Sequence, residues 1–155
     1  MSSPTASTMF RGRFHHTMDP KGRLSIPAKF RDALERDYGE RRLVVVPNDH
    51  CLEVHPFKEW GRIEDKVRDL PQLDPEVQKF NRLYISRAMD ATLDGQGRIQ
   101  IVPEYRERAG LMKDVVLVGG VRKFEIWNRE RWEEYDRTNQ PELRSLFEKI
   151  SSMGV

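Results

Sequence analysis

A five-residue pattern occurs twice in this chain, as Asp19-Pro20-Lys21-Gly22-Arg23 and as Asp94-Gly95-Gln96-Gly97-Arg98. The register around it is shared. Asp19, Gly22, Arg23, Ile26 and Arg31 meet Asp94, Gly97, Arg98, Ile101 and Arg106 at a constant offset of 75, and Phe30 meets Tyr105. Further on the offset becomes 72: Leu52-Glu53-Val54 meets Phe124-Glu125-Ile126, and Trp60 meets Trp132. Three residues are therefore missing from the second copy's connecting region, where a loop tolerates the loss. A chain of 155 residues that repeats itself at about half its length reads as two small units sharing one core, which excludes a large multidomain enzyme.

Each copy carries the same local signals. A short strand over Arg13 to Met18 enters a tight turn in which Asp19 suits position i, Pro20 has its φ preset, and Gly22 takes the left-handed geometry that sets strand register. Leu24 and Ile26 then alternate with Arg23 and Ser25, as a half-buried strand requires. Pro27 fits the first turn of a helix over Ala28 to about Arg36. In the second copy Val102 stands between Ile101 and Pro103, so that helix is expected to start differently and to present Arg106 differently from Arg31. Leu43 to Val46 and Leu52 to Val54 read as a hairpin around Pro47-Asn48-Asp49, matched by Val115 to Val118 and Phe124 to Trp127.

Between the copies, Lys58 to Leu70 and Pro75 to Arg87 read as helices, with Trp60, Ile63 and Val67 on one apolar face and Val77, Phe80, Leu83 and Tyr84 on another. Glu130 to Tyr135 and Glu142 to Ile150 add helix interrupted at Pro141, and the last five residues fray. The expected division is a disordered extension over 1–8, a first unit over 9–56, linking helices over 57–83, a second unit over 84–128 and a helical tail over 129–155. Met9 is an alternative start.

Charge is where the two copies part. From Phe10 to Arg31 six basic residues (Arg11, Arg13, Lys21, Arg23, Lys29, Arg31) stand against Asp19 alone, a local +5. That density is a footprint for phosphate. From Arg87 to Arg108 four basic residues (Arg87, Arg98, Arg106, Arg108) balance four acids (Asp90, Asp94, Glu104, Glu107). The first copy is therefore expected to supply most of a nucleic-acid face, while the second completes the fold or contacts another subunit. A second role stays open at the motif itself. Asp19 and Arg23, like Asp94 and Arg98, can pair across the turn as a surface ion pair worth about 0–1 kcal/mol, and such pairing does not exclude phosphate contact.

The other chemistry-bearing residues assemble into nothing. His15 and His16 are adjacent on a strand and point to opposite faces, so they make a poor metal pair. His50-Cys51 has no second ligand pair nearby, His55 reads as a packing or rim residue, and Trp60 and Trp132 read as core anchors. Glu133-Glu134 belongs to a solvated helix face. P-loop, dinucleotide-glycine, H-E-x-x-H and G-x-S-x-G patterns are absent from the sequence, so neither a catalytic site, a metal site nor a cofactor is expected, and the chain reads as no enzyme. One cysteine rules out an intramolecular disulfide framework and fits a reducing compartment, and neither a bilayer-spanning apolar run nor a signal peptide is visible. With 37% hydrophobic and 34% charged residues, the core is thin enough that oligomerisation would help close it.

The stretches Met9-Phe10-Arg11-Gly12, Met18 to Pro27, Val116-Leu117-Val118-Gly119 and Lys123-Phe124-Glu125-Ile126-Trp127 resemble the MraZ family of bacterial proteins associated with the division and cell-wall gene cluster, over essentially Met9 to Tyr135. The paired D-x-x-x-R motifs at this separation are specific together. The resemblance implies an α+β, β-rich fold in which two swapped-hairpin AbrB-like units form a pseudo-dimer barrel within one chain. It implies a homo-oligomeric ring and binding to double-stranded DNA at short promoter repeats. It also implies regulation, usually repression, of the protein's own operon, in the cytoplasm and at the nucleoid. The family's motif arginine carries over to Arg23, and more weakly to Arg98, while Arg31 and Arg106 match helix-start arginines of AbrB-like units. With Arg11, Arg13 and Lys21 these form the candidate DNA-binding set, and Asp19, Gly22, Asp94 and Gly97 the structural turns. Two rivals remain: a protein-interaction or antitoxin-like module of the same fold, since fold does not dictate function, and a small hydrolase, for which no constellation of nucleophile, base and oxyanion donors can be assembled.

Overall fold

The computed structural model describes residues 10–155, so the expected extension and the alternative start at Met9 lie outside the described residues. The first half runs β1 (Arg13–Thr17), β2 (Arg23–Ser25), α1 (Ala28–Tyr38), β3 (Arg42–Pro47), β4 (Leu52–Pro56), α2 (Phe57–Arg68) and α3 (Pro75–Leu83). A 3-10 turn at Ile85–Arg87 leads into the second half, which repeats the order as β5 (Met89–Thr92), β6 (Arg98–Gln100), α4 (Pro103–Arg108), β7 (Asp114–Gly119), β8 (Phe124–Asn128), α5 (Arg129–Asn139) and α6 (Leu143–Ser151). The two halves are thus alike element by element, and the fold is α+β with a β-rich centre.

The halves are not separate. Six strands form one antiparallel sheet in the order β1-β7-β8-β4-β3-β5, so the first strand of each half pairs with the third strand of the other. The second strands pair with each other as a two-stranded ribbon, Arg23 opposite Gln100, Leu24 opposite Ile99 and Ser25 opposite Arg98. At the sheet centre β4 meets β8 with Leu52 opposite Ile126, Glu53 opposite Glu125 and Val54 opposite Phe124. Residues at offset 72 exchange places across that pairing, so a local two-fold axis passes between Glu53 and Glu125. Among the described residues β1 and β5 remain edges, and the expected barrel is not closed.

Strands β3 and β4 are buried along almost their whole length because each face meets a different layer. Leu43, Val45, Leu52 and Val54 face the main core with Leu24, Ile26, Phe30, Ile99, Ile101, Leu117 and Ile126. Val44 and Val46 face Trp60 under a lid of Phe57, Ile63, Tyr84 and Ile85. Phe30 organises the main core, its ring centroid 5.5 Å from Phe10, 5.1 Å from Phe14 and 4.7 Å from Phe124.

Three expectations change. The second helix does not start differently: Arg31 N donates to Pro27 O and Arg106 N to Val102 O, so Pro27 and Val102 are equivalent capping positions and Pro103 matches Ala28. The missing residues shorten that helix, 11 residues in α1 against 6 in α4, whereas a loop deletion was expected. Finally, α3 stops at Leu83 with no buried residue of its own, and Phe80 and Leu83 stay exposed. Of the expected apolar face it is Tyr84, beyond the helix, that reaches Trp60, at 5.6 Å between ring centroids.

Candidate nucleic-acid interface

Both turns are built by one aspartate. Asp19 Oδ1 accepts the backbone N–H groups of Lys21 and Arg23, each at 2.9 Å, and Oδ2 accepts Arg23 Nε at 2.6 Å. Asp94 repeats the set with Gln96 N at 2.8 Å, Arg98 N at 2.9 Å and Arg98 Nε at 3.0 Å. These donors, led by the backbone N–H of the motif arginine, hold both aspartates below the ordinary carboxylate range. The ion pairs left open by the sequence therefore form in both copies. They use only Nε of each arginine, and the terminal nitrogens of Arg23 and Arg98 have no hydrogen-bond partner among the described residues.

The turns are then locked by the opposite half. Ile26 N donates to Gly97 O and Ile101 N to Gly22 O, at 3.0 and 2.8 Å. Gly22 and Gly97 have φ of 83° and 74°, a region that disfavours any residue with a Cβ. A Cβ at Gly22 would lie 2.5 Å from Ile101 O and 2.9 Å from Arg106 Nε, and one at Gly97 would lie 2.7 Å from Arg31 Cδ. Each helix arginine thus packs flat against the other half's turn glycine. Arg31 Nε donates to Ile26 O at 3.0 Å. Arg106 reaches Pro20 O through Nη1 at 3.3 Å, while its buried Nε has no partner among the described residues.

On the β2–β6 ribbon, Leu24 and Ile99 face the core while Arg23, Ser25, Arg98 and Gln100 alternate to the outer side. Arg23, Arg98 and Arg106 share a cleft of about 770 Å³ with Asp19 and Lys113. Lys113 and Arg41, related by the offset of 72, were not singled out from the sequence. Lys113 O accepts Met18 N beside the first turn, Arg41 O accepts Leu93 N beside the second, and Arg41 Nη1 also reaches Asp94 O at 3.3 Å. Their shared offset and charge were the signal that could have found them.

Grouping by space changes the charge argument. Around the first turn stand Lys21, Arg23, Arg106 and Lys113 against Asp19, and around the second Arg31, Arg41 and Arg98 against Asp94. The +5 and zero counted along the chain become +3 and +2. Conversely, Arg11 and Arg13 lie at the far end of β1 from the turn, roughly 15–25 Å away at ~3.3 Å per residue. Arg13 is 3.4 Å from Asp136 and sits over the Trp132 ring at 4.9 Å, partners more than a hundred residues away in sequence.

Another polar cluster lies at the local two-fold axis. Glu53 accepts His55 Nε2 and Asn48 Nδ2, both at 2.9 Å, and the Tyr84 hydroxyl. Burial alone pushes the Glu53 carboxyl up, but these donors outweigh it and bring it down to about 2. Glu125 accepts Trp127 Nε1 at 2.9 Å and Lys123 Nζ at 3.0 Å, so His55 and Trp127 play matching parts, each donating to the glutamate two residues earlier. Among the described residues no helix is long and apolar enough to cross a membrane, and no three His, Cys, Asp or Glu side chains are grouped to hold a metal ion.

A family model described as MraZ protein, putative antitoxin-like, matches the chain twice in tandem, over residues 9–83 and 84–150. Curated relatives under the name Transcriptional regulator MraZ are similar along nearly the whole length. That of Desulfitobacterium hafniense strain Y51 is 43% identical over 147 residues, covering 95% of this chain and 100% of the relative. That of Moorella thermoacetica is 43% identical with the same coverage. That of Syntrophobacter fumaroxidans is 40% identical over 146 residues, covering 94% and 97%.

Proposed function

The chain belongs to the MraZ family, and from that premise we propose that it is a sequence-specific DNA-binding regulator of transcription, acting as a repressor of its own division and cell-wall operon. The observation that carries this reading is the β2–β6 ribbon. A two-stranded antiparallel ribbon fits the major groove of B-DNA. This one turns Arg23, Ser25, Arg98 and Gln100 outward and has a cation from the opposite half beside each turn. Arg23 and Arg98, with Nε fixed by aspartate and terminal nitrogens unengaged, are pre-aimed for guanine edges, each bidentate contact being worth about 1–3 kcal/mol of discrimination. Lys21 and Lys113 supply phosphate contacts that make affinity salt-dependent. Arg31 and Arg106 act from behind by bracing the turns, Arg11 reaches flanking backbone, and Arg13 ties β1 to α5.

In this reading residues 9–56 and 84–128 are two swapped-hairpin AbrB-like units, joined by 57–83 and followed by a helical tail, and the exchanged strands β1 and β5 supply the swap. Copies of the chain form a ring in the cytoplasm, and successive ribbons engage successive short promoter repeats. Linked weak contacts then gain from effective concentration when repeat and subunit spacings match. Footprinting the full chain on the DNA upstream of its own gene tests this: regularly spaced protected repeats are expected. Uniform, sequence-independent protection or none would refute autoregulation, and none would favour the protein-interaction module of the same fold.

A further inference from the structure

The two halves share a ribbon but do not furnish it with the same side chains. Leu24 lies opposite Ile99, and residues at the offset of 75 exchange places about that point. Arg23 and Arg98 are equivalent there, and so are Ser25 and Gln100. The register then sets unlike neighbours beside like arginines: Gln100 stands directly opposite Arg23, and Ser25 directly opposite Arg98. Ser25 and Gln100 are both exposed on the outer side. The adjoining turns depart in the same sense, with Lys21 at the Gln100 end and Gln96 at the Ser25 end.

Gln100 is held as well as exposed. Its Nε2 donates to Lys21 O at 3.0 Å, and because a carbonyl only accepts, this contact fixes which end of the amide faces the turn. The second N–H of Nε2 and the Oε1 atom have no partner among the described residues. One donor and one acceptor on a planar amide match the N7 acceptor and N6 amino donor that adenine shows in the major groove. Cross-strand neighbours carry their Cβ atoms about 5 Å apart, which is roughly one to two base steps of ~3.4 Å, so Arg23 and Gln100 reach neighbouring base pairs. Ser25 offers a single hydroxyl. It cannot make two parallel hydrogen bonds, and serine contacts any base edge without preference.

We propose that Gln100 is a specificity-determining residue, reading an adenine beside the guanine taken by Arg23, while Ser25 leaves the base beside the Arg98 guanine unread. This rests on the reading of the ribbon as a major-groove element and deepens it. Arginines related by a two-fold axis meet the two DNA strands equivalently, so the guanines are paired about the centre of the site. The adenine is selected on one side only.

Selection of bound duplexes from a randomised pool, scored position by position, tests this with the full-length parent and Gln100→Ser. That substitution makes the outer row of the ribbon alike at both ends, and at an exposed position it should leave the melting temperature unchanged. The parent is expected to select two guanines and an adenine beside one of them. Gln100→Ser should keep both guanines and lose an adenine preference of about 5- to 150-fold. An unchanged adenine preference in Gln100→Ser would overturn the assignment while leaving the ribbon reading standing. So would weakening by the same factor on every sequence, the result expected if Gln100 only braces Lys21 O. A parent that selects no sequence would overturn the ribbon reading and this inference together.

Discussion

Replacing each motif glycine with alanine separates what the turns need from what a loop merely tolerates. Three glycines in the two motifs make a graded series. At Gly97 the backbone strain of a Cβ at positive φ is about 1–2 kcal/mol. The new methyl group would also lie 2.7 Å from Arg31 Cδ, forcing that side chain aside and breaking its hydrogen bond to Ile26 O, a further ~1–2 kcal/mol. The expected cost is about 2–4 kcal/mol. At Gly22 the same strain applies, but the Cβ meets the carbonyl oxygen of Ile101 at 2.5 Å. That oxygen belongs to a residue whose own N–H is tied to Gly22 O, so backbone must move and the ribbon pairing suffers, costing more than at Gly97. At Gly95 a Cβ meets nothing within 4 Å and φ is not positive, so alanine there is neutral or stabilising by up to ~1 kcal/mol. Urea unfolding measured by circular dichroism, with the denaturant slope held constant as the sign that only stability changed, should rank Gly22→Ala as most harmful, then Gly97→Ala, then Gly95→Ala. Equal midpoints for Gly22→Ala and Gly95→Ala would refute the claim that the opposite half locks the turn.

Further outcomes follow from the same geometry. Arg31→Ala should destabilise the chain by about 1–3 kcal/mol through loss of a charged hydrogen bond and of packing on Gly97, whereas Lys21→Ala, on an exposed side chain, should leave the melting temperature unchanged. If both lower stability equally, Arg31 does not brace the turn. Because Glu53 titrates lower folded than its ordinary value, its contribution is complete above about pH 4.5 and fades as pH falls toward 2, about 1–2 kcal/mol after screening by solvent. Glu53→Gln should therefore melt with a shallower acid dependence than the parent between pH 5 and 3, and parallel curves would contradict this. Phe124→Ala removes a ring that touches Phe10 and Phe30 and should cost about 3–5 kcal/mol in chemical unfolding; a loss below 1 kcal/mol would show that the core is not organised around these rings.

The sequence was most legible where the information was local. The turn chemistry of Asp19 to Arg23, the hairpins and the element order of each half could be read residue by residue, because each depends on neighbours within a few positions. What the sequence hid depends on strand partners far apart in the chain. Exchange of β1 and β5 between the halves brings Lys113 to the first turn and Arg41 to the second, so charge counted along the chain grouped the wrong residues. The partner of Arg13 is hidden for the same reason, Asp136 being supplied by α5. The offset of 72 located Glu53 and Glu125 as equivalents, but only the β4–β8 register sets them face to face. A deletion that shortens a helix and one that shortens a loop leave the same gap, which is why α4 was misjudged.

In the proposed function both halves present one arginine each from a shared ribbon to DNA. Electrophoretic shift of the protein's own upstream DNA, titrated with the parent, Arg23→Ala, Arg98→Ala and the double variant at several salt concentrations, tests it most directly. Each single variant should weaken binding about 5- to 150-fold, corresponding to ~1–3 kcal/mol, and flatten the preference for promoter over unrelated DNA, while the double variant should retain only salt-sensitive nonspecific binding. Parental affinity and specificity in both single variants would rule out readout by the ribbon arginines, and loss at Arg23 with none at Arg98 would return the second turn to a purely structural role.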